Sequence, residues 1–457
     1  MIPSPERAVQ TSPFKRYDIR GRLGIDIDEA AAHRIARAFA TVTRANTVVL
    51  AQDSRESSPV LADAVAAGLM AQGVRVMDLG LAGTEEMYFA TARLGADGGI
   101  MVTASHNPKD YNGMKLVGSG AVPLNEADFA RVKTVADTTP DRLPGGSRDD
   151  AGAVRAAYVA HVARLVGSVG PLRVLVNSGN GAAGPTLDAL AEGLAKRGSR
   201  LDLVRMHHDP DGSFPNGVPN PLLPENRPLT ELAVKAAGVD MGVAFDGDFD
   251  RCFLFDGQGA FLDGEHVVAL LARAHLSLHP GAAIVHDPRV RWAVEATVAR
   301  AGGQSVLAPT GHVFLKDAMR RTGAVYGGEL SAHHYFRDFM ACDSGMIPWL
   351  MVARLLGQTR SSLADLVGDL RRDFPSSGEI NFTVPDTAAM VERVRTALGP
   401  QALAEDWTDG LSLDFGDWRL NLRASNTEPL LRLNVEARGD AGLVADGVER
   451  VRGLISD

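Results

Sequence analysis

Three times along the chain, an apolar and β-branched run leads through a few polar residues into an alanine- and leucine-rich helical pattern. The runs occupy residues 48–50, 173–176 and 283–285. Short apolar runs that alternate with helical patterns predict strands of a largely parallel sheet covered by helices. Because the unit recurs three times, we expect three similar mixed-sheet α/β domains.

The polar residues of each repeat are turn formers, which predicts that they end the strand and start the helix. The three turns are Asp53-Ser54-Arg55, Asn177-Ser178-Gly179-Asn180-Gly181 and His286-Asp287-Pro288-Arg289. After the first turn, Ser57 or Ser58 is expected to cap a helix whose first turn contains Pro59.

The chain is 457 residues long, and that length predicts roughly three or four domains. Turn formers crowd at 139–150, 256–264 and 373–379. We therefore expect α/β domains at 1–150, 151–256 and 257–372. Residues 373–457 have alternating strand patterns with one helix between them and one at the end, which predicts a smaller C-terminal α+β domain.

The formal net charge of −9 argues against nucleic acid as a partner, because counterion release requires a basic surface. Two cysteines, Cys252 and Cys342, cannot form a disulfide framework and are interpreted as core thiols. The first 30 residues lack the apolar core of a signal peptide, and no apolar run approaches about 18 residues. We expect a cytoplasmic protein without a membrane segment.

Ser105 follows an apolar run, in Thr103-Ala104-Ser105-His106-Asn107-Pro108, where its hydroxyl can project from the end of a sheet as a nucleophile. A solvent-facing turn serine is the alternative. Lys115 lies ten residues further on and can return on the next strand, although alone it would be an ordinary surface lysine.

Asp246, Asp248 and Asp250 lie at alternate positions between two apolar strands. Three carboxylates that close together cannot all stay ionised without a cation, and oxygen ligands favour Mg²⁺. An EF-hand loop is excluded, because its sixth position would be Arg251 and its twelfth Gly257. An Asp-rich surface turn remains the alternative.

Two further polar segments follow short strands. Glu329, Ser331 and His333 lie at alternate positions, which share one side in an extended chain and suit a polyol, with a capped helix start as the alternative. The second segment offers a guanidinium, two hydroxyls and an amide, which can donate to phosphate oxygens. A polar hairpin turn without a ligand is the alternative. Its residues are Arg423, Ser425, Asn426 and Thr427.

These four segments, in this order, resemble the α-D-phosphohexomutase superfamily, and the likeness is closest to its bacterial phosphomannomutases. It runs from Phe14-Lys15-Arg16-Tyr17-Asp18-Ile19-Arg20-Gly21 to Arg432 and includes residues 210–216. The resemblance implies four domains around a central cleft, Mg²⁺ as cofactor and a small phosphosugar as substrate. It implies no membrane partner, a monomer or dimer, and a place in GDP-mannose biosynthesis.

By the resemblance, Ser105 is a phosphoserine that ligates Mg²⁺ together with Asp246, Asp248 and Asp250. Groups around the transferring phosphoryl would be Arg20, His106, Lys115 and Arg251, with Lys115 a general base or acid. Glu329, Ser331 and His333 would read the sugar hydroxyls. The remaining implied substrate contacts are Tyr17, His312, Lys316, Arg423, Ser425, Asn426, Thr427 and Arg432.

The activity implied is exchange of a phosphoryl group between O6 and O1 of mannose through a hexose 1,6-bisphosphate. Ala332 stands where many relatives that also accept glucose phosphates carry glycine. The alternatives are a dual phosphomannomutase/phosphoglucomutase and a phosphoglucosamine mutase. Two rival classes, a metal-dependent phosphatase or phosphotransferase and a non-catalytic sugar-phosphate sensor, would not need all four segments.

Overall fold

A computed structural model describes residues 13–138, 140–359, 361–424 and 430–456. The chain divides into two compact units. The first is Met1–Phe261 with Asp338–Arg360, and the second is Leu262–Arg337 with Ser361–Asp457.

The first unit opens with a six-stranded mixed sheet of order β1-β5-β4-β2-β3-β6. Its strands are β1 Ile19–Arg22, β2 Thr47–Gln52, β3 Arg75–Leu81, β4 Gly98–Val102, β5 Tyr111–Gly118 and β6 Ser147–Asp150. Its helices are α1 Glu29–Thr43, α2 Ser58–Met70, α3 Thr84–Arg93 and α4 Glu126–Ala136. Pro59 lies in the first turn of α2 as predicted, but Ser57 at the cap position makes no side-chain capping hydrogen bond.

The neighbouring strands β2 and β4 are parallel, with Gln52 opposite Val102. Carboxyl ends of parallel neighbours leave a sheet at the same edge. The Asp53-Ser54-Arg55 turn and the Ser105 turn therefore emerge side by side. Buried aliphatic and aromatic residues such as Ile35, Phe39 and Leu50 pack against this sheet in one core.

The next domain has a four-stranded sheet of order β10-β9-β7-β8, in which only the β9–β10 pair is antiparallel. Its strands are β7 Leu172–Asn177, β8 Leu201–Met206, β9 Met241–Phe245 and β10 Cys252–Asp256. Its helices are α5 Val154–Val166, α6 Ala183–Ala195 and α7 Pro228–Ala237. The Asp246–Arg251 segment is thus the loop of a β-hairpin.

In the second unit, four strands of the third sheet lie in the order β12-β11-β13-β14. Among these four strands, the β13–β14 pair is antiparallel and the other two pairs are parallel. The strands are β11 Ala283–His286, β12 Gln304–Leu307, β13 Tyr326–Gly328 and β14 His334–Phe336, with helices α8 Gly264–Leu278, α9 Arg291–Arg300 and α10 His312–Thr322. The chain returns to the first unit with β15 Cys342–Asp343 and α11 Met346–Thr359, and α12 Leu363–Asp373 follows.

The C-terminal sheet, of order β16-β20-β19-β18-β17, is antiparallel throughout. Its elements are β16 Ile380–Thr383, α13 Thr387–Leu398, β17 Ala404–Asp406, β18 Leu411–Asp414, β19 Trp418–Ala424, β20 Leu430–Ala437 and α14 Ala441–Ser456. Three mixed sheets with helices and one antiparallel α+β sheet confirm the predicted fold class. Cys252 and Cys342 are buried free thiols. Within the described ranges, no helix is long and apolar enough to span a membrane.

Candidate active site

Ser105 lies just beyond β4, in a turn whose backbone geometry is unusual for serine. Its φ of 50° is left-handed, and its amide donates to Thr103 Oγ1 at 2.8 Å. Its hydroxyl donates to Asp246 Oδ2 at 2.6 Å, with His106 Nδ1 3.0 Å from the same Oγ. The structure therefore joins the serine loop, residues 103–108, directly to the candidate metal loop, residues 246–251.

Ser105 follows the end of β4 as predicted, and the alternative of a solvent-facing turn serine is wrong. Ser105 is 0% exposed, because the Asp246–Arg251 loop covers it. The loop packs this closely because Gly247 has no side chain: a Cβ there would lie 2.5 Å from the Ser105 carbonyl oxygen. A polar turn does not reveal which distant segment will cover it.

The three aspartates of the β9–β10 hairpin converge as predicted. One carboxylate oxygen from each of Asp246, Asp248 and Asp250 lies within 4.8 Å of the others, and all three residues are buried. Burial, followed by repulsion from Asp250 and Asp248, raises the pKa of Asp246 to about 7. Burial also opposes ionisation of Asp248, but Lys115 and Thr84 outweigh it and lower the pKa of Asp248 to about 2.

Lys115 returns on β5, opposite Met101 of β4. Its Nζ lies 2.7 Å from Asp248 Oδ2 and also contacts Asp250. Although burial alone would favour the neutral amine, these two carboxylates raise the pKa of Lys115 well above its ordinary value. Lys115 is therefore an ammonium in this arrangement.

Two arginines predicted from the sequence flank the same loops. Arg20 donates to Asn107 Oδ1 at 2.7 Å and to Asp18 Oδ2 at 2.9 Å, while Arg251 Nε lies 3.6 Å from Asp246 Oδ2. Tyr17 lies in the turn before β1 and is partly buried, with the Arg16 guanidinium carbon 5.2 Å from its ring centre.

Thr84, at the start of α3, contacts the metal loop, and the sequence did not predict this contact. Its hydroxyl donates to Asp248 Oδ2 at 2.5 Å, and its amide donates to the Asp248 carbonyl at 3.1 Å. Neighbouring Gly83 leaves room for Phe249, since a Cβ there would lie 2.2 Å from that ring. A threonine at a helix start carries no signal that it contacts a residue 164 positions away.

The donor set suits Mg²⁺, which prefers a few carboxylates and takes its remaining ligands from water or phosphate. Asp248 Oδ1 is buried and makes no hydrogen bond within the described part of the chain. A carboxylate oxygen without a donor, next to two further carboxylates, fits a cation.

In the second unit, Glu329–His333 forms the turn between β13 and β14. The extended chain predicted for this segment is wrong: the Glu329 amide donates to the His333 carbonyl at 3.0 Å, and Ala332 is left-handed with a φ of 65°. The turn still brings Ser331 Oγ to 3.4 Å from Glu329 Oε2. His333 is buried, with its ring stacked on Tyr335 at 6.1 Å between centres.

The carboxylate of Glu329 has two neighbours that the sequence did not single out. Tyr335 donates to Glu329 Oε1 at 2.5 Å, and Arg289 Nη2 lies 3.3 Å from Glu329 Oε2. Arg289 also pairs with Asp287 at 2.6 Å. Burial disfavours its charge, but Asp287, Glu379 and Glu329 together raise the pKa of Arg289.

Glu379 connects Arg289 to the predicted phosphate segment. Its carboxylate lies 3.1 Å from Arg289 Nη1 and 3.2 Å from both Arg423 Nη2 and Arg432 Nη1. Burial and then the nearby charge of Arg289 lower the pKa of Arg423, so that this guanidinium favours a further anion. Ser425, Asn426 and Thr427 lie outside the described residues.

His312 and Lys316 lie one turn apart in α10. His312 is partly buried and Lys316 is 0% exposed. The helix therefore places both predicted residues on the same side.

Comparison with known proteins matches four successive parts of the chain. Four domain profiles of the phosphoglucomutase/phosphomannomutase family match: alpha/beta/alpha domain I at 11–142, domain II at 156–259, domain III at 263–374 and the C-terminal domain at 379–454.

Relatives of nearly equal length include a phosphomannomutase of Salmonella montevideo, which is 52% identical over 97% of this chain and 98% of that protein. The "Phosphohexose mutases" protein of Xanthomonas campestris is 51% identical, over 97% of this chain and 98% of its own. A Burkholderia thailandensis crystal structure, of a phosphoglucomutase/phosphomannomutase family protein, superposes with a TM-score of 0.86 at 33% identity and covers 97% of both chains. The chain therefore belongs to the phosphoglucomutase/phosphomannomutase family of the α-D-phosphohexomutase superfamily.

Proposed function

We propose that this chain is a Mg²⁺-dependent phosphomannomutase that interconverts mannose 6-phosphate and mannose 1-phosphate through phosphorylated Ser105 and a hexose 1,6-bisphosphate. The hydrogen bond of 2.6 Å from Ser105 Oγ to Asp246 carries the proposal, because it links a candidate phosphoryl carrier to a candidate metal site. The 52% identical phosphomannomutase supports mannose as the sugar. Isomerisation of mannose 1-phosphate without stoichiometric release of phosphate is the decisive assay. Phosphate release instead would indicate a phosphatase, and binding without turnover a sensor.

Dual specificity for mannose and glucose phosphates is the second candidate. The 51% identical relative with the broader name "Phosphohexose mutases" favours it. Steady-state kcat/KM on mannose 1-phosphate and glucose 1-phosphate distinguishes the two functions. Similar values on both sugars would favour dual specificity.

In the first half-reaction, O1 of mannose 6-phosphate attacks the phosphorus of phosphorylated Ser105. The O1–P bond forms as the Oγ–P bond breaks, and one proton passes from O1 to Oγ. In the second, Oγ attacks the 6-phosphoryl group of the bisphosphate, the P–O6 bond breaks and O6 takes a proton. His106 Nδ1, 3.0 Å from Oγ, is positioned to carry the proton at the serine.

The cationic side chains stabilise the charge of the transferring phosphoryl group, which is most of what such catalysis requires. Lys115 supplies a positive charge beside Asp248 and Asp250, and it is the candidate general base or acid. Arg20 and Arg251 add two guanidinium groups beside the same loops. Asp246, Asp248 and Asp250 would hold Mg²⁺ together with a phosphoserine oxygen. When bound, the ion neutralises charge on the phosphoryl oxygens.

Glu329, Ser331 and His333 read the sugar hydroxyls. Tyr335 and Arg289 hold the Glu329 carboxylate in one orientation, so that its free electron pairs can accept from the sugar.

Glu329→Gln is expected to lower kcat/KM for mannose 1-phosphate about ten- to a hundredfold, because a hydrogen bond to a charged group contributes roughly 1.5 to 3 kcal/mol. Steady-state kinetics measure the loss, and Glu449→Gln, at an exposed position of α14, is the matched control. An unchanged kcat/KM would remove Glu329 from the sugar site. If the wild-type enzyme had equal rates on glucosamine 1-phosphate and mannose 1-phosphate, the chain would belong to another branch of the superfamily, and mannose would not be its preferred sugar.

Arg423 and Arg432, with Ser425, Asn426 and Thr427, form the clamp for whichever phosphate is not reacting. That phosphate is the 6-phosphate in one half-reaction and the 1-phosphate in the other. The clamp must therefore accept both orientations, and residues that contact only a phosphate can do so. His312 and Lys316 are proposed as further substrate contacts, and so is Tyr17.

Arg423→Ala is expected to weaken binding of mannose 1-phosphate and mannose 6-phosphate alike, by roughly 1.5 to 3 kcal/mol each. Titration of each monophosphate measures the loss, with Arg452→Ala at a half-exposed position of α14 as the control. If only one monophosphate lost affinity, the two orientations would not share this clamp.

We further propose domain limits at 1–150, 151–256, 257–372 and 373–457. The first limit falls between two of the ranges that the family profiles match, and the other two fall close to the ends of such ranges. Limited proteolysis should therefore cleave in the exposed segment 141–146, just before β6, before it cleaves within the strands.

A further inference from the structure

Arg55, in the turn of the first repeat, is a buried arginine whose guanidinium binds the backbone of the serine loop. Its side chain is 2% exposed, and its two terminal nitrogens donate to four carbonyl oxygens. The acceptors are Ser105 at 2.8 Å, Asn107 at 2.6 Å, Pro108 at 2.9 Å and Tyr111 at 3.1 Å. One side chain thus fixes the course of the loop on both sides of His106.

Asp53 holds the other side of the same serine. Its Oδ2 lies 3.4 Å from Arg55 Nε and accepts from Thr103 Oγ1 at 2.7 Å, and that same Thr103 oxygen accepts from the Ser105 amide at 2.8 Å. Ser58 donates to the second oxygen, Asp53 Oδ1, at 2.5 Å. The Asp53–Arg55 pair therefore controls both the amide and the carbonyl of Ser105.

The pair restrains a residue whose conformation is unfavourable by itself. A left-handed serine costs about 1 kcal/mol or more, so surrounding contacts must hold it. On its far side, the Ser105 carbonyl packs against Gly247 of the metal loop, where a Cβ would lie 2.5 Å away. We propose that Asp53 and Arg55 are positioning residues that set the direction of Ser105 Oγ for phosphoryl transfer.

The third repeat supports a positioning role rather than a generic buried ion pair. At the corresponding turn, Asp287 pairs with Arg289 at 2.6 Å, and Arg289 extends to Glu329 of another candidate loop. Two repeats thus use an Asp-x-Arg turn, at the end of a parallel strand, to hold a loop that carries a candidate functional residue.

The expected consequence is a loss of rate more than of binding, because neither residue is placed in contact with the sugar. A displacement of about 1 Å in a reacting group can cost about a hundredfold in rate. Lysine cannot replace Arg55, since one ammonium has three donors and no planar fork to reach four carbonyls.

The test, which rests on the proposed function, uses full-length Arg55→Lys and Asp53→Asn. Each enzyme is first phosphorylated with a hexose 1,6-bisphosphate, and Ser105 labelling is measured by mass spectrometry. We expect single-turnover transfer to mannose 6-phosphate to fall about ten- to a hundredfold in both variants. We also expect KM for mannose 1-phosphate and Mn²⁺ affinity, measured by electron paramagnetic resonance, to change less than about threefold. Arg75→Lys, at an exposed position of β3, is the control.

The outcomes distinguish a failure of the proposed function from a failure of the positioning role. If wild-type enzyme fails to carry phosphate on Ser105, the proposed function fails. The positioning role is wrong if wild-type enzyme is labelled but both folded variants transfer the phosphoryl group at the wild-type rate. It is also wrong if the variants differ from wild-type enzyme only in KM for mannose 1-phosphate. If Arg55→Lys does not fold, Asp53→Asn alone tests the proposal. Asparagine has the shape of the aspartate side chain and keeps an oxygen that accepts from Ser58. If neither variant folds, the pair serves folding and the proposal is overturned.

Discussion

Ser105→Ala is expected to keep its fold and to lose mutase turnover by about 10⁴-fold or more, as enzymes do when a covalent carrier is removed. The structural cost is small. The variant loses the hydrogen bond to Asp246, which contributes roughly 0.5 to 1.5 kcal/mol, and alanine has the same left-handed backbone to adopt as serine. Turnover of mannose 1-phosphate, with a hexose 1,6-bisphosphate supplied, measures the effect.

Ser178→Ala is the matched control for Ser105→Ala. Ser178 is also a buried turn serine that follows a parallel strand, in the second repeat, and its hydroxyl makes no hydrogen bond within the described residues. This variant should retain wild-type turnover. Near-normal mutase activity in Ser105→Ala, with the same phosphopeptide labelled as in wild-type enzyme, would mean that another group carries the phosphoryl.

The parts of the site that the sequence predicts are those encoded locally. Asp246, Asp248 and Asp250 alternate between two apolar strands, and a tight hairpin loop brings such neighbours together whatever packs around it. Lys115 was predicted to return on the next strand, and it lies on β5, which pairs with β4. In both cases the residues are close in sequence, so that few other arrangements compete.

The contacts that the sequence did not predict join distant segments. Thr84 contacts Asp248 across 164 positions, and Arg289 contacts Glu379 across 90. The burial of Ser105 depends likewise on Gly247. The turn at Glu329 depends on the left-handed backbone of Ala332, and an alanine in the sequence does not indicate that conformation. The Asp53-Ser54-Arg55 turn was recognised only as a turn, because local sequence does not show which backbone a guanidinium will meet.

Removal of one carboxylate from the proposed metal site is expected to have different effects on stability at two neighbouring positions. Asp246 has a raised pKa of about 7, since burial and like charges oppose its ionisation. At pH above 7 its charge therefore opposes folding, so that Asp246→Asn should leave the free energy of unfolding unchanged or raise it. Asp248 has a pKa lowered to about 2, because Lys115 and Thr84 outweigh its burial. That shift stabilises the fold above an ordinary aspartate pKa of about 4, and the stabilisation is lost as pH falls towards 2.

Asp248→Asn should consequently cost about 2 kcal/mol of unfolding free energy at neutral pH, since it leaves Lys115 with Asp250 alone. Both variants should nevertheless lose activity, because each removes one of three ligands and weakens the proposed Mg²⁺ site at least about tenfold. Urea unfolding of chelator-treated protein measures stability, Mn²⁺ titration measures affinity, and Asp202→Asn at an exposed position of β8 is the control. Wild-type Mn²⁺ affinity in both variants, or full wild-type activity in excess chelator, would place the metal elsewhere or remove it from the mechanism. Equal losses of unfolding free energy in Asp246→Asn and Asp248→Asn would instead show that both carboxylates are ionised to the same extent. Lys115 would then not stabilise the charge of Asp248 over that of Asp246.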